Sequence, residues 1–314
     1  MTGPQYPGPQ YTAGPPAVCF RHPDRPTGLS CSRCGRPACP ECLRPAAVGQ
    51  HCVDCLRNDG VQRSTAAPTF GDRGIRPMVA SPMVAARPYA TYTLIAINLV
   101  IFALCAMQAR GFDMLDSRLF VDLALVKPWV ADGEYWRLFT AGFLHFSITH
   151  VAVNMISLFI LGRDLEIAIG IPRYLGVYVT SLLGGSAAVM AFGSDMSINA
   201  GASGAIYGLM GAVLIVVLKA RVSPTPVISI IVLNLVLSIT IPGISLLAHV
   251  GGLVFGAAAT AGIIFGPQWL LSPDRRSAVA AARIGWIVIA ALLVVALAVS
   301  VAVGMSYTGI RVYG

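Results

Sequence analysis

Apolar residues gather into seven runs, at 91–108, 148–168, 174–192, 202–219, 227–241, 244–266 and 284–304. Most approach the roughly 20 residues that cross a bilayer as a helix. Each reads as a span; the fifth is short, with Pro224 and Pro226 at its start. Ahead of them the pattern changes. Residues 1–17 form a Pro/Gly-rich tail expected to be disordered. Residues 18–57 are rich in cysteine, and 58–88 lack periodicity and read as a linker. The segment from Ala109 to Leu144 is too long for an ordinary connection. It carries Phe112, Leu115, Leu119, Phe120 and Trp129, then Glu134-Tyr135-Trp136-Arg137. That pattern predicts amphipathic, interfacial structure, with an ordinary extracellular loop as the alternative.

Composition agrees with the pattern. Of 314 residues, 56% are hydrophobic and 11% charged, against about 25% charged in a typical globular domain. Mean hydropathy is +0.72. The chain therefore reads as an integral membrane protein. No apolar stretch precedes Pro15, so no signal peptide is expected. The net charge of +8 does not point to nucleic acid, because no basic run is interleaved with aromatics. It reads as positive-inside bias instead. With the basic N-terminal region cytoplasmic, the inner connections hold Arg163 and Arg173, then Lys219 and Arg221, then Arg275, Arg276 and Arg283. The outer ones hold Asp113, Asp116, Asp122, Asp132 and Glu134, then Asp195. Seven spans then put the C-terminus outside.

On this topology the second, fourth and sixth spans all run from outside to inside. Their first turns carry the polar residues. His150 and Asn154, four apart, open the second; Ser203 in Gly201-Ala202-Ser203-Gly204 opens the fourth; His249 opens the sixth. Polar and ionisable side chains inside a membrane segment are costly and read as functional. Amide hydrolysis needs a nucleophile, a base and donors for an oxyanion. Ser203, His249 and the pair His150 and Asn154 supply these at one depth near the outer face. Each residue alone has a plainer reading, as helix packing or interhelical hydrogen bonding; all of them together do not. Tyr207, one turn after Ser203, is placed to stack on the imidazole. Asp164 and Glu166 lie at the inner end of the second span, so no acid completes a triad and a Ser–His dyad is expected. The stripe His249-x2-Gly252-x3-Gly256 suits a helix held tightly against Gly204–Gly211.

These motifs are similar to those of the rhomboid family of intramembrane serine proteases. The matching residues are Trp136-Arg137, His145-x4-His150-x3-Asn154, Gly201-Ala202-Ser203-Gly204-Ala205-Ile206-Tyr207-Gly208 and His249-x2-Gly252-x3-Gly256. The resemblance covers 91–266. It implies an all-α polytopic fold: a six-helix core over 89–268, with the extra C-terminal transmembrane helix in 269–314. It implies Ser203 as nucleophile and His249 as base. His150, Asn154 and the Ser203 N–H would be the oxyanion site, with His145 and Tyr207 as supports. Arg137 and Glu166 match residues that hold the first loop and second helix. Substrates would be transmembrane proteins cleaved near helix-destabilising small residues. The alternative is a non-catalytic rhomboid-like binder or quality-control factor, against which intact Ser203 and His249 argue. A transporter is disfavoured because no mid-span position is Asp or Glu.

The cysteine segment has its own logic. Cys19-x2-His22, Cys31-x2-Cys34, Cys39-x2-Cys42 and Cys52-x2-Cys55 supply eight ligands, enough for two tetrahedral zinc sites. Alternating pairs would place Cys19, His22, Cys39 and Cys42 on one ion and Cys31, Cys34, Cys52 and Cys55 on the other. The spacing resembles a cross-braced B-box zinc finger, with Cys52 and Cys55 in place of its final histidines; His51 is a possible substitute ligand. A cytosolic segment stays reduced, which disfavours disulfides. Such a module would be structural and would bind a cytosolic protein partner; zinc is not expected in catalysis. Arginine outnumbers lysine 20 to 2, which together with the resemblance suggests a high-GC bacterium and the bacterial plasma membrane.

Overall fold

The computed structural model describes residues 17–45, 50–56, 87–241 and 243–308. The tail expected over 1–17 and the linker over 58–88 fall almost wholly outside these residues. The chain divides into two compact units, Met1–Ser81 and Pro82–Gly314.

The small unit is built from two antiparallel ribbons. One pairs β1 (Val18–Cys19) with β2 (His22–Pro26); the other pairs β3 (Leu43–Pro45) with β4 (Gln50–Cys52). Its core contains six of its seven cysteines, all but Cys34, together with Ala38 and Leu43. So few apolar residues cannot bury enough surface to hold a fold of this size alone.

The large unit is helical. In chain order it contains α1 (Tyr89–Ala109), α2 (Arg118–Leu123), α3 (Lys127–Ala131), α4 (Arg137–Thr140), α5 (Ile148–Ile169) and α6 (Ile171–Phe192). Then come α7 (Ser203–Ala220), α8 (Thr225–Thr240), α9 (Leu246–Ile264), α10 (Gly266–Leu270) and α11 (Ala278–Met305). Each of the seven apolar runs forms one helix. Five, namely α1, α6, α7, α9 and α11, are long and apolar enough to cross a membrane unaided. Helix α5 carries Arg163, Asp164 and Glu166, and qualifies only when joined to Arg137–Phe143 across a 92° bend. Helix α8 has 16 residues, about 24 Å, shorter than the roughly 30 Å hydrocarbon core. Large apolar side chains stay exposed along α1, α5 and α11, among them Val100, Met107, Ile156, Ile160, Ile287 and Val294. Such a surface is abnormal in water and normal against lipid. The chain is an integral membrane protein.

The connection between α5 and α6 is far shorter than the sequence suggests. It is one residue, Gly170, at φ +82°. Arg163 and Arg173, read as loop residues, lie within the helices. A glycine adopts this backbone without a Cβ penalty, and Pro172 suits the first turn of the next helix. Serines cap other starts: Ser147 accepts from the His150 N–H at 3.2 Å and Ser245 from the Ala248 N–H at 3.4 Å. The start of α1 is capped from elsewhere. The Glu166 carboxylate, near the end of α5, accepts from the Ala90 N–H at 3.0 Å, the Thr91 N–H at 2.8 Å and the Thr91 hydroxyl at 2.7 Å.

Helix α9 packs against α6, α7 and α11. On the α7 side the backbones meet directly: a Cβ on Gly252 would collide with the Gly204 carbonyl, and one on Gly256 with the Gly208 carbonyl. This is the stripe read from the sequence. On the α6 side a Cβ on Gly251 would lie 2.6 Å from the Gly184 carbonyl oxygen. Small residues on both faces thus clamp α9 and the histidine it carries.

Between α1 and α5 the chain is folded into the short helices α2, α3 and α4. Arg137 is buried beneath this segment. Its guanidinium pairs with Glu134, donates to the Val121 and Ala124 carbonyls, and lies 4.4 Å from the centre of the Trp129 ring. The Trp136 ring remains half exposed, with its N–H donating to the Asp122 carbonyl at 3.3 Å. Backbone bonds between Leu125 and Asn199, and from the Gly201 N–H to the Ala141 carbonyl at 2.9 Å, fasten the segment to the approach to α7.

Candidate active site

A cavity of about 720 Å³ opens inside the helical unit, within the usual size range of ligand pockets. Ser203, His249, His150 and Asn154 all line it. Three helices deliver them by their first two turns: α7 brings Ser203, α9 brings His249, and α5 brings His150 and Asn154. The residues that sequence reasoning joins into one site therefore meet at one cavity.

Ser203 is the first residue of α7, whose start has no side-chain cap. First-turn amides have no intrahelical acceptor and sit at the positive end of the helix dipole. Gly201 precedes it at φ +140°. A Cβ at Gly201 would stand 3.0 Å from His150 Nε2 and 3.5 Å from Ser203 Oγ. The absence of a side chain there lets His150 and Ser203 approach the same space. Gly204 presses on the Ala248 carbonyl, where an added Cβ would lie at 3.2 Å.

His150 Nδ1 receives the Phe146 N–H at 3.4 Å, a long bond. That acceptor role leaves the ring proton on Nε2, the nitrogen facing Gly201. Asn154 uses one amide hydrogen on the His150 carbonyl at 2.8 Å, which leaves its other hydrogen for the cavity. His145 is buried edge-on to the His150 ring at 5.0 Å, and neither of its nitrogens has a hydrogen-bond partner among the described residues.

His249 is 5% exposed and tightly held. The Tyr207 ring stacks on it with centroids 3.9 Å apart and planes within 12°, as the one-turn spacing from Ser203 predicts. No hydrogen bond joins Ser203 to His249 in this structure. Catalytic hydrogen bonds are often long before substrate binds. Sequence reasoning missed Ser238, on α8. Its hydroxyl lies 2.7 Å from His249 Nδ1 and 3.0 Å from the Tyr207 hydroxyl. Nothing in the α8 pattern distinguishes it from a serine that merely bonds back to its own helix.

The small unit gathers two further clusters. Cys19, His22, Cys39 and Cys42 form one, and Cys31, Cys34, Cys52 and Cys55 the other, with ligand atoms in each group within 4.8 Å of one another. These are the alternating pairs expected from the spacing. All eight cysteines of the chain are free thiols. Tetrahedral Zn–S bonds of 2.3 Å place sulfurs about 3.8 Å apart and a nitrogen about 3.5 Å from each sulfur. The observed separations are 3.8 Å for Cys34–Cys52 and 3.9 Å for Cys31–Cys55. His22 Nδ1 lies 3.5 Å from Cys39 and Cys42 and 3.7 Å from Cys19. The donor set and its spacing fit a metal ion at each place. His51 belongs to neither group; it precedes Cys52 on a strand, where neighbours face opposite ways. Arg36 donates to Cys34 at 3.5 Å and to Cys52 at 3.8 Å. Its guanidinium holds the Cys34 thiol below its ordinary value, favouring the thiolate that binds metal.

Comparison with known proteins agrees with the helical unit. Residues 132–267 match the family model of the rhomboid domain. The rhomboid protease GluP of Bacillus subtilis is 35% identical over 182 residues, which are 56% of this chain and 35% of that protein. RHOMBOID-like protein 5 of Arabidopsis thaliana is 36% identical over 155 residues, 46% of this chain and 50% of that protein. The rhomboid protease AarA of Providencia stuartii is 29% identical over 210 residues, 57% of this chain and 74% of that protein. The chain thus spans half or less of the Bacillus and Arabidopsis relatives. Motifs, helices and these likenesses agree that the chain carries a rhomboid domain at residues 132–267.

Proposed function

We propose that this protein is an intramembrane serine endopeptidase that cleaves transmembrane proteins near the outer face of the membrane. The observation that supports it most is the single cavity lined by Ser203, His249, His150 and Asn154. Ser203 Oγ attacks the scissile carbonyl carbon while its proton passes to His249 Nε2. The carbonyl oxygen becomes an anion, received by His150 Nε2–H, the Asn154 amide and the Ser203 N–H. Collapse of this intermediate breaks the C–N bond, and His249 returns the proton to the leaving amine. Water then hydrolyses the acyl-enzyme, with His249 again the base. The N-terminal unit lies in the cytoplasm, holds two structural zinc ions and binds a protein partner; the C-terminus lies outside a bacterial plasma membrane.

The test is cleavage of a generic transmembrane substrate by the purified full chain in detergent. Ser203→Ala and His249→Ala should each fall to background, since nucleophile and base act as one unit. A fluorophosphonate should label the wild type at Ser203 alone. Substantial cleavage by either variant would sink the dyad. A folded wild type that neither cleaves nor labels would favour the second reading, a non-catalytic rhomboid-like binder. The missing Ser203–His249 hydrogen bond is the observation on that side.

A further inference from the structure

We propose that Ser238 is a positioning residue for His249, holding its imidazole in the tautomer that carries the proton on Nδ1 and leaves Nε2 bare. The proposal rests on the reading of Ser203 and His249 as nucleophile and base. Three groups surround the Ser238 oxygen: the Asn234 carbonyl at 2.7 Å, His249 Nδ1 at 2.7 Å and the Tyr207 hydroxyl at 3.0 Å. A hydroxyl has one hydrogen and two lone pairs. The Asn234 carbonyl can only accept, so at that distance it takes the hydrogen of Ser238, a bond back to the preceding turn. The two lone pairs must then receive hydrogens from His249 Nδ1 and from the Tyr207 hydroxyl.

The opposite assignment fares worse. If Ser238 donated to Nδ1, its oxygen and the Asn234 carbonyl oxygen would face each other at 2.7 Å with no hydrogen between them. One bond would be lost and a repulsion gained. Ser238 is 5% exposed, where an unmade hydrogen bond costs most. With the proton fixed on Nδ1, Nε2 presents a lone pair, the form a general base needs. When His249 takes up the serine proton, Nδ1–H keeps its acceptor. Ser238 thus does with a neutral hydroxyl what a carboxylate does in a triad, which gives a physical reason why no Asp or Glu need stand beside His249. It stabilises an imidazolium less than a carboxylate would, because it carries no charge.

The experiment uses the full chain in detergent with 15N in its histidine rings, the His249 signals being identified by comparison with His249→Ala. In the wild type Nδ1 should be protonated and Nε2 unprotonated. Ser238→Ala should shift His249 toward a mixture of tautomers, and turnover should fall roughly 10- to 100-fold with KM little changed. Ser238→Thr, which keeps the hydroxyl, should restore both. If Ser238→Ala fails to fold, Ser238→Cys, a weak acceptor of similar shape, should produce the same shift. An unchanged tautomer in the variant that folds overturns the proposal, whatever happens to turnover. Turnover at the wild-type level in that variant overturns it too. Cleavage that survives Ser203→Ala overturns the protease reading instead, and the tautomer measurement still decides the role of Ser238.

Discussion

His150 and His249 line one cavity, yet their hydrogen-bond partners give them opposite roles. A backbone N–H at His150 Nδ1 makes the far nitrogen a donor, whereas Ser238 at His249 Nδ1, in the arrangement proposed above, makes the far nitrogen an acceptor. One ring is suited to hold a developing negative charge, the other to take a proton. Asn154→Ala or His150→Ala should therefore lower turnover more than binding, by roughly 100- to 1,000-fold for a lone oxyanion donor and by less where the remaining donors share the load. Steady-state kinetics on a transmembrane substrate will separate the two parameters. An equal loss in KM and turnover would instead mean that the residue only packs. Ser203, His249, His150 and Asn154 were legible because polar groups are conspicuous in apolar runs. Ser238 was not, because a helical serine can satisfy itself on the preceding turn, and its second partner arrives from another helix.

Periodicity and length located all seven long helices among the described residues but misjudged how they join. A single glycine turns α5 into α6, and a 92° bend separates Arg137–Phe143 from α5; both depend on one or two backbone angles that hydropathy does not register. The small residues of α7 and α9 were legible as a stripe, while the contribution of Gly184 to clamping α9 needed the three-helix arrangement. The orientation of these helices is open to direct measurement. A cysteine placed at Asp195 should react with an impermeant thiol reagent in intact cells, and one placed near Arg221 or Arg275 should not. The reverse pattern would put the cavity mouth at the cytoplasmic face.

At the scale of the whole molecule, two units of unlike construction share one chain. One buries its polar backbone in helices surrounded by apolar surface; the other has almost no core beyond its cysteines. The ligand pairs of the small unit were readable from Cys-x2-Cys spacing, and their alternation from the cross-braced pattern; excluding His51 took the strand register. Metal analysis of the purified full chain should give about two zinc ions, four ligands to each. Cys31→Ser with Cys34→Ser should reduce the count to one, and chelation should unfold the small unit. Ser203-dependent cleavage in detergent should persist after the metal is removed. Fewer than one ion per wild-type chain would refute the two-site assignment.

The Glu166 cap on α1 also orders events in time. Thr91 and Glu166 are 75 residues apart, so at roughly 5–20 residues per second of synthesis the first helix exists several seconds before its cap. Its opening amides must meanwhile be served by water at the membrane surface. Only when α5 arrives does this end of α1 become self-sufficient. The segment between α1 and α5 waits longer still, because its backbone partners at Asn199 and Gly201 lie beyond α6.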